Sequence, residues 1–306
     1  INETRHPKVG TRFRVWPLMN MAVACDDMEG NITHIIRAKD HADNALRQKY
    51  LFDFFKKPSP EAIFVGRINF VGMPVSCSKT RPLIEDGTYS GWDDIRLPFL
   101  AALRRRGYQP KALLRYAFDV GISLADKKVP QDEFFKTINA FNKDVVDPDA
   151  DRFFFVESPH ALHIENAPGR KVELDLHPGT RKGGRLFSTA QDFFIAKEDF
   201  STLKENKIYR LMDCLNFMKK GTSFVFHSQP YSDFKGKGER IIHWLPAKEK
   251  LINVEILMPD GGKKVGLGEA GLDTLPVGAI IQFMRFGFCR LDAKEHGKLK
   301  FWFLHG

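Results

Sequence analysis

The chain has 306 residues, 43% of them hydrophobic, enough for two or three domains with cores of their own. Its 47 Lys and Arg against 38 Asp and Glu leave a formal charge of +9, which favours an anionic partner but says nothing about fold. No apolar run reaches the roughly 20 residues that cross a bilayer, and Cys25, Cys77, Cys214 and Cys289 form no C-x-x-C pair, which argues against a structural zinc site or a disulfide framework and fits a reducing cytoplasm.

The chain opens Ile1-Asn2-Glu3, with neither an initiator methionine nor a signal-peptide pattern, and reads as a fragment or processed product. The apolar run Leu18 to Cys25 is compatible with a helix or a buried strand. Ile32 to Arg37 is β-branched and predicts a strand. Asp43 to Phe55 carries apolar residues at helical spacing, and Ile63 to Val71 predicts another strand. Strand, helix, strand in that order implies a parallel sheet, whose ligands bind beyond the carboxyl ends of the strands. Leu97 to Gly107, Pro110 to Val120 and Gln131 to Asn142 predict three helices, the first ended by Gly107. Val145-Val146-Asp147-Pro148 marks a boundary. From Arg152 onward, short apolar stretches such as Phe153 to Val156, Thr222 to Phe226 and Leu299 to Phe303 alternate with Gly, Pro and Asp turns, the pattern of barrels or sandwiches.

Three segments concentrate the chemistry. Pro74-Val75-Ser76-Cys77-Ser78-Lys79-Thr80 is a small-polar loop whose hydroxyls and lysine suit a nucleotide phosphate. Gly91-Trp92-Asp93-Asp94-Ile95-Arg96-Leu97-Pro98 and Leu103-Arg104-Arg105-Arg106-Gly107-Tyr108 follow it. Together with Thr33-His34-Ile35-Ile36-Arg37-Ala38-Lys39-Asp40-His41, Leu176-His177-Pro178, Arg210-Leu211-Met212 and Ile241-Ile242-His243-Trp244, they resemble class I aminoacyl-tRNA synthetases. The branch is that of the glutaminyl and the archaeal-type glutamyl-tRNA synthetases, and the likeness runs along essentially the whole chain.

The resemblance implies a multidomain α/β plus all-β fold. Residues 1–90 would be the second half of a Rossmann-type catalytic domain, 91–148 a helical connecting domain, and 149–306 two β-barrels that bind the anticodon. It also implies a ligase that joins glutamate and ATP, used with Mg2+, into an adenylate and passes the acyl group to the terminal adenosine of glutamate tRNA. No tightly bound metal or organic cofactor is expected, nor any membrane; packing accounts for His163, His227, His243 and His305.

By the resemblance, Lys79 matches the lysine that steadies the phosphates during activation, and Ser78 and Thr80 match small hydroxyl positions of the same loop. Ser76 replaces the family's first lysine, so one positive charge is missing. Arg37 stands where glutamyl enzymes carry an arginine and glutaminyl enzymes a small neutral residue, and a carboxylate side chain suits its fork. A plainer role for Arg37 is an ion pair with Asp26, Asp27 or Asp40. Met19 lies where related enzymes often have a tyrosine on the amino acid, and Asp40 and His41 match positions near ATP and substrate. For tRNA, Arg104, Arg105 and Arg106 form a basic cluster suited to phosphate. Trp92 and Arg96 either touch tRNA or hold a domain junction, and Lys143, Arg181 and Arg210 are further tRNA contacts, bases in loops being read by stacking and edge hydrogen bonds.

No His-Ile-Gly-His-type motif occurs in the chain. In the family that motif holds ATP, so these residues alone are expected to bind tRNA without aminoacylating it. A glutaminyl-tRNA synthetase fragment and a non-catalytic tRNA-binding protein are the alternatives.

Overall fold

The computed structural model describes residues 5–306; Ile1 to Glu3, where the sequence reads as the start of a fragment, lie outside the described residues, as does Thr4. The chain divides into two compact units. One comprises the residues up to Gly72 together with Phe118–Glu133; the other comprises Met73–Ala117 with Phe134–Gly306.

In the first unit the ambiguous run at Leu18 to Cys25 is helical. Leu18 is extended at its N-cap and α1 spans Met19–Glu29, burying Ala24. The chain turns at Asn31, whose φ is 49°, into β1 (His34–Ala38). A short 3-10 turn, Lys39–His41, leads to α2 (Ala42–Phe54), which buries Gln48 and Phe52 one turn apart. β2 (Glu61–Val65) then pairs with β1 in parallel, with Arg37 opposite Phe64. The strand–helix–strand order thus gives the expected parallel pairing.

The single strand expected from Ile63 to Val71 is instead two. β2 ends at Val65, and β3 (Ile68–Val71) pairs in parallel with β4 (Lys127–Pro130). Gly66 makes the switch. Its amide donates to the Ser123 carbonyl at 2.7 Å, and a Cβ there would stand 2.2 Å from the Ala125 carbonyl oxygen. Only glycine allows two backbones to pass so closely.

The second unit begins with α3 (Cys77–Glu85) and α4 (Leu100–Arg106). The helix expected from Leu97 starts later because Leu97 precedes Pro98 and donates its amide to the Asp94 carbonyl in a turn. It ends at Gly107, left-handed with φ 114°, as the glycine implied. α5 (Pro110–Val120) and α6 (Gln131–Val146) follow; α6 runs four residues past the expected Asn142, burying Phe134, Ile138, Asn142 and Val146 at four-residue intervals.

The rest is strands: β5 (Asp151–Phe153), β6 (Phe155–Glu157), β7 (Pro159–Glu165), β8 (Arg170–His177), β9 (Arg181–Thr189) and β10 (Asp192–Ala196). After α7 (Lys197–Ser201) come β11 (Ile208–Leu211), β12 (Leu215–Lys220) and β13 (Ser223–Ser228), then α8 (Tyr231–Phe234). Next are β14 (Arg240–Ile242), β15 (Leu245–Pro246), β16 (Leu251–Leu257), β17 (Lys263–Glu269), β18 (Ile280–Phe283), β19 (Gly287–Glu295) and β20 (Lys298–His305).

Two seven-stranded sheets result, in the orders β14-β11-β12-β13-β7-β10-β15 and β5-β18-β19-β20-β16-β17-β6, with β8 and β9 as a separate hairpin. In the second sheet the two edge strands, β5 and β6, are joined by a single residue, Phe154, so its ends meet in a near-barrel. The edges of the first sheet are likewise consecutive in sequence, separated by His243 and Trp244. Each sheet has its own core. Phe154 and Val156 enter one, with Trp244 and Phe193; Phe153 and Phe155 enter the other, with Phe283 and Phe301. Strand side chains alternate from face to face, so one extended run supplies both cores.

Candidate functional site

In the first unit the structure draws Arg37, Asp27, Gln48 and Asn20 into one network. Arg37 projects from β1 and is 16% exposed. Its Nη2 donates to Asp27 Oδ2 on α1 at 3.1 Å, and its Nη1 donates to Gln48 Oε1 on α2. Gln48 Nε2 in turn donates to the Asn20 carbonyl at 2.8 Å. The ion pair with Asp27 is one of the plainer roles open to Arg37, and it fixes the plane of the guanidinium. Gln48 escaped sequence reading, although a polar residue in phase with buried Phe52 was the available signal. Asn20 escaped as well; its Oδ1 is buried with no partner among the described residues.

The other residues expected on the amino acid and ATP are more open. Met19 is 81% exposed at the start of α1. Asp40 accepts from the Arg67 guanidinium, and His41 Nδ1 lies 3.3 Å from Asn44 Nδ2.

In the second unit the Ser76–Thr80 segment forms the entry to α3. Ser76 is the extended N-cap residue, and its carbonyl accepts from the Thr80 amide at 2.9 Å. The Ser76 and Ser78 hydroxyls are 3.2 Å apart. Lys79 is exposed, and no ion pair holds it among the described residues. A lysine and two hydroxyls at the positive end of a helix suit an anion. Thr80 departs from expectation: it is 2% exposed, so its hydroxyl faces the protein interior rather than a nucleotide.

The segment after α3 is tightly braced. Arg96 Nε and Nη2 donate to the two oxygens of Asp94 at 2.8 and 2.7 Å, Nη2 also donates to the Thr88 carbonyl, and the guanidinium lies 4.7 Å from the Tyr89 ring centre. Burial pushes the Asp94 carboxyl upward in pKa, but Arg96 and the Ser90 and Arg96 amides outweigh it and hold it well below the usual range. Trp92, 36% exposed, meets Phe99 edge-on at 5.2 Å. The Arg96 bonds all lie within the 88–96 segment and brace it locally.

The basic cluster expected at Arg104 to Arg106 is not one surface. Arg104 is exposed. Arg105 grips Asp292 with two bonds of 3.0 and 2.7 Å, reaches Asp93 at 2.9 Å and covers the Trp302 ring at 4.1 Å. Arg106 is 5% exposed and donates to the carbonyls of Phe303 and Leu304, a correction to its expected place on tRNA. Successive helical residues point about 100° apart, so three adjacent arginines meet solvent, the face of the second sheet at β19 and β20, and the core in turn.

Arg210 is corrected in the same way. It is 7% exposed, its Nη1 bonded to Asn216 Oδ1 and the Gln229 carbonyl at 2.8 and 2.9 Å, where β11 and β12 pack. Arg181 is intermediate: its Nε donates to Asp151 at 2.6 Å and its side chain is 35% exposed. Lys143 is exposed on α6. Deeper in, Arg185 and Glu269 pair at the wall of a cavity of about 290 Å3 between the β8–β9 hairpin and the end of β17.

Among the described residues no helix is long and apolar enough to cross a membrane, and no cluster of three or more His, Cys, Asp or Glu has the geometry of a metal site.

Three family models match the chain in succession. The catalytic-domain model of the class I tRNA synthetases for glutamate and glutamine matches residues 1–148. Two anticodon-binding-domain models of the same family match residues 150–225 and 241–292. A glutamate–tRNA ligase of Methanocaldococcus jannaschii is 37% identical over 97% of the chain and 53% of its own length. Those of Methanobrevibacter smithii and Pyrococcus furiosus are 35% and 37% identical over 100% and 98% of the chain, and 54% and 53% of their own lengths. The chain thus spans about half the length of the curated relatives it matches. With three successive models of one family along it, the chain belongs to the class I tRNA synthetases of the glutamate and glutamine branch.

Proposed function

We propose that the chain is the glutamate-selecting and tRNA-holding part of a glutamate–tRNA ligase. The observation that carries this is its match, along 97–100% of its length, to proteins named glutamate–tRNA ligase. Arg37 supports the choice of amino acid. A largely buried guanidinium whose plane is held by Asp27 and Gln48 is preorganised for a carboxylate side chain, whose two oxygens suit its remaining donors better than an amide does.

In this reading the glutamate α-carboxylate attacks the α-phosphorus of Mg·ATP and pyrophosphate leaves. A ribose hydroxyl of the terminal adenosine then displaces AMP from the acyl group. Catalysis of such steps is mostly positioning and charge stabilisation. Lys79 supplies a mobile cation to the polyphosphate, with Ser76 and Ser78 beside it, while buried Thr80 holds the first turn of α3. Exposed Arg104 and Lys143 meet tRNA phosphates, and Arg181 adds an edge contact near Asp151. The two seven-stranded sheets act as anticodon-binding barrels, the helices from α4 to α6 as the connecting domain, and the protein works in the cytoplasm.

The test is binding of the chain to glutamate tRNA and to the same tRNA with an altered anticodon, at two salt concentrations. A preference for the native anticodon that survives the higher salt supports the reading. Equal binding to both, collapsing with salt, reduces it to phosphate attraction alone.

A further inference from the structure

Arg105 was expected on tRNA, yet its three main bonds all go to protein. Asp292 on β19 receives two of them and Asp93 the third, and Trp302 on β20 lies under the guanidinium. Asp93 belongs to the segment that follows the signature helix α3. Its neighbour Asp94 holds Arg96, and Arg96 reaches back to the Thr88 carbonyl and the Tyr89 ring. The Tyr89 amide donates to the Leu83 carbonyl inside α3 at 2.9 Å. The β16–β17 turn also passes close to Arg96, where a Cβ on Gly261 would stand 3.2 Å from Arg96 Cδ. A continuous set of bonds therefore runs from the second sheet to the helix that carries Lys79. In agreement, α3 clusters with the β-rich unit rather than with the unit that holds Arg37.

We infer that Arg105 is a positioning residue, which fastens the signature segment to the second seven-stranded sheet and so sets where Lys79 is presented. The inference rests on the proposed ligase function for its catalytic meaning, but its geometry stands apart from that reading. Lysine cannot replace arginine here, because one point charge cannot grip Asp292 with two bonds and also reach Asp93. Asp292 is as necessary as Arg105, although it carries the wrong charge to touch RNA.

The experiment compares the chain with its Arg105→Lys and Asp292→Asn variants. Amide hydrogen exchange is read across 79–96 and across β12–β13, and tRNA affinity is read at several salt concentrations. A positioning role predicts that both variants speed exchange in 79–96 by about tenfold or more while β12–β13 keeps its protection. It also predicts an unchanged slope of affinity against salt in Arg105→Lys. If Arg105 is instead a phosphate ligand, 79–96 stays protected in both variants, and Asp292→Asn, by freeing the arginine, tightens tRNA binding; that result overturns the inference. Equal loss of protection in both regions would make the pair a general stabiliser and overturn it too. Should the unaltered chain fail to bind tRNA, the proposed function falls while the exchange measurement still decides the positioning role.

Discussion

Arg185 on β9 and Glu269 at the end of β17 face each other almost wholly inside the protein, 5% and 4% exposed, and Glu269 also accepts the Phe154 amide. Burial raises the Glu269 carboxyl, and the arginine opposes that rise. Taking away one member of such a pair strands the other charge in a poor solvent, at a cost of about 3–5 kcal/mol, whereas replacing both with apolar groups is far milder. Glu269→Gln is expected to lower the urea midpoint sharply, and Arg185→Met with Glu269→Leu to recover most of the loss. A single variant as stable as the parent would show that the pair contributes nothing.

Acid should destabilise the fold well above the carboxylate range. Burial and the charge of Arg285 push the pKa of His243 down to about 4, against a smaller upward pull from Asp199; burial likewise lowers His305 to about 4. Unfolded, each imidazole takes up its proton near the ordinary value of 6.5, while the folded protein resists until about 4. Stability is therefore full above pH 6.5 and is lost as pH falls through that window, by on the order of 3 kcal/mol for His243. Urea midpoints at about pH 7, 6 and 5 would trace the decline. His243→Asn should flatten it, and an unaltered slope in that variant counts against the assignment.

Arg37→Ala should raise the KM for glutamate by roughly tenfold or more and leave that for ATP nearly unchanged, since a lost charged hydrogen bond amounts to about 1.5–3 kcal/mol. Arg37→Lys should not restore it, because the two arms of the fork serve Gln48 and Asp27 separately. Amino-acid-dependent pyrophosphate exchange by the ligase containing this chain is the measurement. Full rescue by lysine would reduce Arg37 to a simple counter-charge.

Arg104→Ala should weaken tRNA binding at low salt and reduce the slope of log affinity against log salt by about one. Arg106→Leu should leave that slope alone and lower thermal stability instead, its bonds being to the Phe303 and Leu304 carbonyls. Filter binding and a thermal melt separate the two. An equal slope change in both variants would restore the single basic surface.

These contrasts mark what the sequence could and could not convey. Period and punctuation were legible: the helical stripe of α2, the end of α4 at Gly107, and the parallel pairing of β1 with β2. Direction was less so. Arg104 to Arg106 read as one patch because a written sequence has no azimuth, and a helix assigns each residue a different one. The break between β2 and β3 depended on Gly66 passing the Ala125 carbonyl, a contact 59 positions away along the chain. Arg210 looked available because its partners, Asn216 and the Gln229 carbonyl, are ordinary residues that only strand pairing brings to it. Arg37 and Lys79 were singled out by the family resemblance of their segments, but Gln48, Asn20 and Asp292 carry no motif and became visible only as bonded neighbours.

The alternation at Phe153 to Val156 has a thermodynamic consequence. One four-residue strip is a wall of two cores at once, so neither sheet can melt while the other keeps its packing intact. The β region should unfold as one cooperative transition rather than two, and a cavity cut at Phe154 should register in the heat absorbed by both halves. The two stretches matched by separate anticodon-binding-domain models, 150–225 and 241–292, would thereby share a single melting event.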